Sequence, residues 1–130
     1  MAIIVIDASA VIAFRDPADA LHGRAVAAFR AHASDDLVLP SSVYAEVLVG
    51  PMQHGAPAPA SLEQFIRDFA MQIAPLSPDI ARHAASLRAQ TPSLRLPDAF
   101  VLATGDILEA DNVLTGDRSW TNLSPRVQLI

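Results

Sequence analysis

Four consecutive β-branched residues, Ile3 to Ile6, form a short run that is apolar at every position and ends at Asp7. A run that is apolar at consecutive rather than alternate positions is typical of a strand covered on both faces by helices, as in a parallel sheet. Leu37–Leu39, which Pro40 ends, is a second such run, and Asn112–Leu114 is also predicted as a strand. Because segments with helical spacing separate these runs, the sequence predicts a three-layer α/β/α sandwich around a mainly parallel central sheet.

The intervening segments carry apolar residues at helical spacing, with Ser or Pro at several helix starts. Gly55–Ala60 contains two prolines and is predicted to be a loop. Pro75 makes Met71–Leu76 a weak or edge strand, and Val127–Ile130 is predicted as a last edge strand. The predicted helices are Ser9–Phe14, Asp19–Ala33, a segment from Ser42 to about Gly50, one capped by Ser61, one opened by Ser77-Pro78, and Pro97 to about Leu108.

The length of 130 residues fits one compact domain, and we expect residues 1–130 to form it. Hydrophobic residues make up 52% of the chain and charged residues 18%, so there is ample material for a core. No uncharged apolar run approaches the roughly 18 to 20 residues that a membrane span needs. No basic segment precedes the first apolar run, so we expect no secretion signal and a cytoplasmic protein without a membrane partner.

Composition excludes several chemistries. All 9 basic residues are arginines, and the absence of lysine excludes Schiff-base enzymes and Walker A phosphate loops. Cysteine is also absent, which excludes disulfide scaffolds, thiol nucleophiles and thiolate zinc sites. The net charge of −5 argues against a general cationic coat for nucleic acids, but it leaves a nucleic-acid enzyme open.

Four acidic residues fall where parallel sheets build their sites, at the carboxyl ends of strands and the helix starts that follow. Asp7 and Asp117 follow strands, Asp98 lies in the first turn of a helix, and Glu46 lies in an otherwise apolar helix, near a rim of the core. Taken singly, three of them have a structural alternative: Asp7 a helix cap, Asp98 a dipole-favoured first-turn acid, and Asp117 a turn former.

Convergence of these acids would need a counter-ion. Two unit charges about 4 Å apart repel by roughly 4 kcal/mol at an effective dielectric near 20, against a domain stability of about 5 to 15 kcal/mol. With no lysine and only oxygen ligands, a hard divalent cation such as Mg²⁺ or Mn²⁺ is the natural partner. Ions held on carboxylates activate water and stabilise the charge on a phosphate during its transfer.

Four short motifs, taken in order along the chain, resemble those of the PIN-domain ribonucleases. The resemblance covers essentially the whole chain and is strongest with VapC-type toxins of toxin–antitoxin pairs, although Trp120 stands where many of these have Phe. The motifs are Asp7-Ala8-Ser9, Ser42-Val43-Tyr44-Ala45-Glu46, Leu96-Pro97-Asp98-Ala99 and Thr115-Gly116-Asp117-Arg118-Ser119-Trp120.

The resemblance implies a metal-dependent endoribonuclease that hydrolyses RNA phosphodiester bonds with metal-activated water, leaving 5′-phosphate and 3′-hydroxyl ends. It implies that Asp7 and Asp98, with Glu46 and Asp117, hold one or two Mg²⁺ or Mn²⁺ ions. Ser9 and Thr115 are expected to fix a water or orient a carboxylate, with a helix cap and a turn hydroxyl as the alternatives. The implied partners are a VapB-type antitoxin, whose tail would lie in a groove near the site, and a second copy of the toxin in a homodimer.

Three arginines, Arg15, Arg95 and Arg118, lie close in sequence to the predicted acids or to strand ends. Because the arginine fork makes paired hydrogen bonds with phosphate, they are candidates for contacts with the RNA backbone. The alternative is that they are solvated or pair with neighbouring aspartates. The high apolar content further suggests surface hydrophobic residues that another chain covers. The four histidines show no metal-ligand spacing.

Two other functional classes remain open from sequence. A non-catalytic RNA-binding or regulatory module could use the same scaffold without turnover. An aspartyl phosphoacceptor, as in receiver domains or dehalogenase-like phosphatases, could also follow the first strand. The second class usually requires a lysine, and its dehalogenase form expects an acid where this chain has Ser9.

Overall fold

The computed structural model describes all residues 1–130 and contains one five-stranded sheet. Every strand pairing in it is parallel, in the order β3-β2-β1-β4-β5. The predicted α/β/α fold class is therefore confirmed, with a sheet that is wholly rather than mainly parallel. The strands are β1 (Ile3–Ile6), β2 (Asp36–Pro40), β3 (Gln72–Ala74), β4 (Asn112–Thr115) and β5 (Val127–Leu129).

Six α-helices flank the sheet, and a short 3-10 turn, Arg118–Trp120, follows β4. One helix, α6, packs against β1, β2 and β4, and α5 packs on α6. None of the helices combines the length and the apolar character needed to cross a membrane. The helices are α1 (Ala8–Arg15), α2 (His22–Ala31), α3 (Ser41–Met52), α4 (Pro57–Asp68), α5 (Pro78–Gln90) and α6 (Leu96–Ile107).

The chain reverses direction across the sheet next to its central strand. After β1 it moves outward to β2 and β3, and it then crosses back to β4 on the other side of β1. The carboxyl ends of β1 and β4 thus flank the topological switch point, where open α/β sheets form their ligand crevices. Asp7 directly follows β1, and Thr115 is the last residue of β4.

The prediction of a loop over Gly55–Ala60 was wrong, because α4 begins at Pro57 and contains Pro59 and Ser61. The two prolines occupy the first and third helical positions. N–H groups in the first turn have no partner inside the helix, so the missing N–H of proline costs little there. Ser61 is therefore a residue of the helix and not its cap.

Helix α2 is shorter than the predicted Asp19–Ala33, starting at His22. The residues before it form turns instead: the Asp16 and Asp19 carboxylates accept hydrogen bonds from the backbone N–H groups of Ala18 and Leu21. This local bonding of short acidic side chains competes with helix formation.

Four phenylalanines form one aromatic cluster that joins α1, α2 and α4, which the sequence did not predict. All six pairs of rings have centroids between 4.9 and 5.9 Å apart, in tilted or edge-on arrangements. Such geometries contribute beyond simple burial of area. The cluster consists of Phe14, Phe29, Phe65 and Phe69.

Helix α6 approaches the sheet closely at Gly105. A methyl group added there would lie 2.6 Å from Cγ2 of Val113, a fully buried residue of β4. Because the valine side chain is stiff at χ1, it has little room to turn aside. We expect Gly105→Ala to lower the free energy of unfolding by about 1 to 3 kcal/mol, as overpacking does, and urea denaturation measures it.

Gly23 of α2 provides the matched control, because a methyl group there would meet no atom within 4 Å. Gly23→Ala is expected to leave stability unchanged or to raise it by up to about 1 kcal/mol, since alanine restricts the unfolded chain. If the two substitutions change the free energy of unfolding equally, the close approach of α6 to β4 is not the reason that residue 105 is a glycine.

Candidate active site

Asp7 lies at the carboxyl end of β1 with its side chain almost fully buried. It occupies the N-cap position of α1, but its carboxylate makes no capping hydrogen bond. Instead Oδ2 accepts two hydrogen bonds, from Ser9 Oγ at 2.7 Å and from Thr115 Oγ1 at 2.8 Å. Both of these hydroxyls therefore orient the carboxylate of Asp7.

Backbone amides orient the two hydroxyls in turn. Ser9 Oγ accepts a hydrogen bond from the N–H of Gly116 at 2.9 Å, and Thr115 Oγ1 accepts one from the N–H of Asp117 at 3.1 Å. Each hydroxyl thus accepts from the turn after β4 and gives its single proton to Asp7. Thr115 therefore both orients a carboxylate and bonds to the turn, the two roles that its sequence position left as alternatives.

Asp98 and Glu46 bring two further carboxylates towards Asp7 from different elements. Asp98 lies in the first turn of α6, and Glu46 lies on α3, where its exposed side chain makes no hydrogen bond. Burial raises the pKa of Asp7 despite its two hydroxyl donors, and the charge of Asp98 raises it further. Partial desolvation raises the pKa of Glu46 although its side chain is exposed, and the charges of Asp7 and Asp98 raise it further. We call Asp7, Glu46 and Asp98 the acid cluster.

Asp117 is not part of the acid cluster. Its Oδ1 accepts hydrogen bonds from the Ser119 N–H at 2.9 Å and the Ser119 hydroxyl at 2.6 Å, which caps the 3-10 turn. Asp117 therefore caps the turn through Oδ1, and its backbone N–H supports Thr115.

The three predicted arginines lie in different surroundings. Arg95 pairs with Asp98, with Nε 3.4 Å from Oδ2. Arg118 is exposed beside Asp117 and makes no ion pair with it. Arg15, at the far end of α1 from Asp7, donates to Ser61 Oγ at 3.2 Å and lies 5.8 Å from the centre of the Phe65 ring. Arg15 is thus separated from the acid cluster.

Only oxygen donors surround the acid cluster, which suits a hard divalent cation. Asp7 Oδ2 accepts from the two hydroxyls, while Oδ1 accepts no side-chain hydrogen bond. No three acidic or imidazole side chains converge closely enough to form a ready-made metal cage. The carboxylates are near enough to repel one another without being closed around one point.

Sequence reasoning missed the two backbone amides that hold the hydroxyls. The signal that could have located them is Gly116, where a methyl group would lie 2.8 Å from Leu21 Cδ1 and 3.6 Å from Ser9 Oγ. A glycine directly after a strand often marks a close approach of the backbone to other groups. At this turn it lets the main chain reach Ser9.

Comparison with protein-family models gives a match to the PIN domain over residues 4–124. A comparison with curated proteins gives no match. The matched range includes the three residues of the acid cluster. It also includes Ser9 and Thr115, whose hydroxyls donate to Asp7.

Several solved structures share the fold. A toxin–antitoxin complex from Klebsiella pneumoniae is 21% identical, with a TM-score of 0.78 over 96% of this chain and 95% of that chain. VapC20 of Mycobacterium tuberculosis, described as a toxin that cleaves the sarcin–ricin loop, is 17% identical, with a TM-score of 0.75 and coverage of 92% and 93%. VapBC2 from Rickettsia felis, bound to a promoter DNA fragment, is 13% identical, with a TM-score of 0.78 and coverage of 98% and 97%.

Proposed function

Because this chain belongs to the PIN-domain family, we propose that it is a metal-dependent endoribonuclease acting as the toxin of a type II toxin–antitoxin pair. Structural neighbours described as toxin–antitoxin complexes and as an RNA-cleaving toxin support this assignment. The substrate would be RNA, cut by hydrolysis of its backbone phosphodiester bonds.

One observation carries the proposal: carboxylates from three separate elements lie near the carboxyl edge of the sheet, where the charge of Asp98 raises the pKa of Asp7 and the charges of Asp7 and Asp98 raise the pKa of Glu46. Burial and like charge both disfavour the ionised forms of Asp7 and Glu46. Ionisable groups whose pKa is raised in this way are frequent at catalytic and metal sites.

The carboxylate oxygens of the acid cluster suit Mg²⁺ or Mn²⁺, which would draw them together from their separated positions, with Asp7 and Asp98 as the main ligands and Glu46 completing the set. Asp7 is oriented by Ser9 and Thr115, and the exposed side chain of Glu46 is free of hydrogen bonds and able to approach. One or two bound ions would neutralise the carboxylates and supply Lewis-acid activation of water and phosphate. We retain Asp117 in the proposed site as a support of Thr115 rather than as a direct ligand.

Two exposed arginines, one beside Asp98 and one on the turn after β4, would meet the RNA backbone. Arg95 is 78% exposed next to Asp98, and Arg118 is exposed on the turn after β4. Paired hydrogen bonds from arginine to phosphate would hold the strand across the carboxyl edge of the sheet. Arg15 is omitted from this role because it contacts Ser61 and Phe65 instead.

Exposed apolar side chains support the proposal of protein partners, a VapB-type antitoxin and a second toxin subunit. A groove between α1 and α4 has Phe14, Phe65 and Phe69 at its base and four polar or charged side chains, Arg15, Ser61, Gln64 and Asp68, around them. Large apolar side chains on other elements, among them Val49 and Met52 of α3, are 58% and 64% exposed. Apolar surface of this kind is commonly covered by another chain.

Cleavage of RNA tests the proposed function directly. The purified protein is incubated with RNA and Mg²⁺ or Mn²⁺, with excess chelator, and as the Asp7→Asn variant. We expect cutting only by the wild type with metal, leaving 5′-phosphate ends. RNA binding without cleavage in any metal would instead favour the non-catalytic RNA-binding module.

Thr115→Val tests the hydroxyl support of Asp7. Valine keeps the shape and suits a strand, but it removes the donor to Asp7 and leaves the Asp117 N–H without its acceptor. We expect a loss of about 1 to 3 kcal/mol in the free energy of unfolding and about 10- to 100-fold weaker Mn²⁺ binding, measured by denaturation and calorimetry. Thr115→Ser, which keeps the hydroxyl, should lose much less of both; equal losses would refute the hydrogen-bond explanation.

A further inference from the structure

Arg95 is the one basic side chain that pairs with the acid cluster. Its Nε lies 3.4 Å from Asp98 Oδ2, and its positive charge also acts on Glu46, where it opposes the repulsion from Asp7 and Asp98. No other arginine and no histidine makes an ion pair with any of the three acids. The metal-free cluster therefore has a single internal counter-ion.

The attachment of Arg95 is weak and easily released. The side chain is 78% exposed while that of Asp98 is 20% exposed, and the single contact is long for a charge-assisted hydrogen bond. Arg95 is the N-cap residue of α6, yet its side chain makes no capping bond that would fix it. Exposed pairs of this kind contribute little net stability, so moving the guanidinium away costs little.

A divalent cation on the cluster would compete with Arg95 for the same carboxylate. Three carboxylates and one guanidinium carry a formal net charge of −2, and the carboxylate that Arg95 contacts belongs to Asp98, one of the proposed metal ligands. Like charges would then repel the guanidinium from the occupied site. Once displaced, Arg95 would stand at the rim of the cluster, free to meet an anion.

We propose that Arg95 is a positioning residue with two states: counter-ion of Asp98 and Glu46 in the metal-free protein, and ligand of the RNA backbone phosphate once a divalent ion has displaced it. This inference rests on the proposed function and deepens it. It predicts that Arg95 weakens metal binding while it strengthens binding of the substrate, two effects of opposite sign from one side chain.

Calorimetric titration with Mn²⁺, without RNA, separates this inference from the proposed function. We expect Arg95→Gln to bind Mn²⁺ about three- to tenfold more tightly than the wild type, with the gain shrinking as salt is raised. Arg95→Lys, which keeps the charge, should restore nearly wild-type affinity. Arg30→Gln makes the same charge change on an exposed residue in the last turn of α2, which leads into the start of β2, and should leave Mn²⁺ affinity unchanged.

The second arm measures RNA affinity in Ca²⁺ by filter binding for the same variants. Arg95→Gln is expected to bind RNA at least about threefold more weakly, while Arg30→Gln binds as the wild type does. Unchanged or weaker Mn²⁺ binding by Arg95→Gln, with normal binding by the wild type, overturns the two-state role of Arg95 alone. Absence of Mn²⁺ binding by the wild type overturns the proposed metal site, and the inference with it.

Discussion

Asp98→Asn is expected to lower the rate of RNA cleavage at least about a hundredfold while the protein stays folded. The substitution removes one of the two proposed main ligands, and loss of a residue that stabilises transition-state charge commonly costs factors of this size. Without metal, the free energy of unfolding should stay the same or rise slightly. Removing the Asp98 charge relieves its repulsion with Asp7 and Glu46. This gain offsets two losses, the contact with Arg95 and the favourable acidic charge at the start of α6.

Asp79→Asn is the matched control for this experiment. Asp79 follows a proline in the first turn of α5, just as Asp98 does in α6, but it is exposed and acts on none of the acid cluster. It should retain full cleavage and lose only the helix-dipole contribution of about 0.3 to 1 kcal/mol. A much larger loss of metal-free stability in Asp98→Asn than in Asp79→Asn would assign Asp98 a structural role.

Trp120→Ala is expected to give the largest loss of stability of any substitution near the site. The indole is 1% exposed and packs in the core directly after the turn that carries Gly116 and Asp117. Removal of a buried aromatic side chain costs about 3 to 5 kcal/mol, a large part of a typical domain stability. Urea denaturation of the metal-free protein measures the loss.

Trp120→Phe tests whether residue 120 acts only as an apolar anchor of the turn or whether the indole ring itself is needed. A phenyl ring keeps most of the buried apolar area, so we expect a loss well below that of alanine and near-normal cleavage. A Trp120→Phe variant that folds stably but no longer cleaves RNA would contradict the interpretation of Trp120 as an apolar anchor.

The elements predicted best are those for which the local signal and the tertiary environment agree. Ile3–Ile6 is a strand with the predicted bounds because β-branched residues in an apolar run suit a buried parallel strand. The helix opened by Ser77-Pro78 is present, with Ser77 Oγ accepting from the Ile80 N–H. The start of α4 was missed because prolines at the first and third helical positions resemble a loop in sequence.

The site was predicted less evenly, because sequence locates residues along the chain but not the directions of their side chains. The charge of Asp98 raises the pKa of Asp7, and the charges of both aspartates raise the pKa of Glu46, while metal binding by these three residues stays a prediction. Asp117 turns its carboxylate to Ser119, and Arg15 reaches Ser61 on α4. Both contacts depend on turn geometry and on helix packing across distant parts of the chain, which spacing alone does not encode.

A titration of thermal unfolding with Mn²⁺ tests the central claim most directly, comparing the wild type with the triple variant Asp7→Asn, Glu46→Gln, Asp98→Asn. Since a ligand that binds only the folded state stabilises it, the wild-type Tm should rise steadily with Mn²⁺ concentration. The triple variant should start from an equal or higher metal-free Tm, because the repulsion is gone, and should not respond. An equal rise in both proteins, or none in the wild type, would contradict the claim that these three carboxylates form a divalent-cation site.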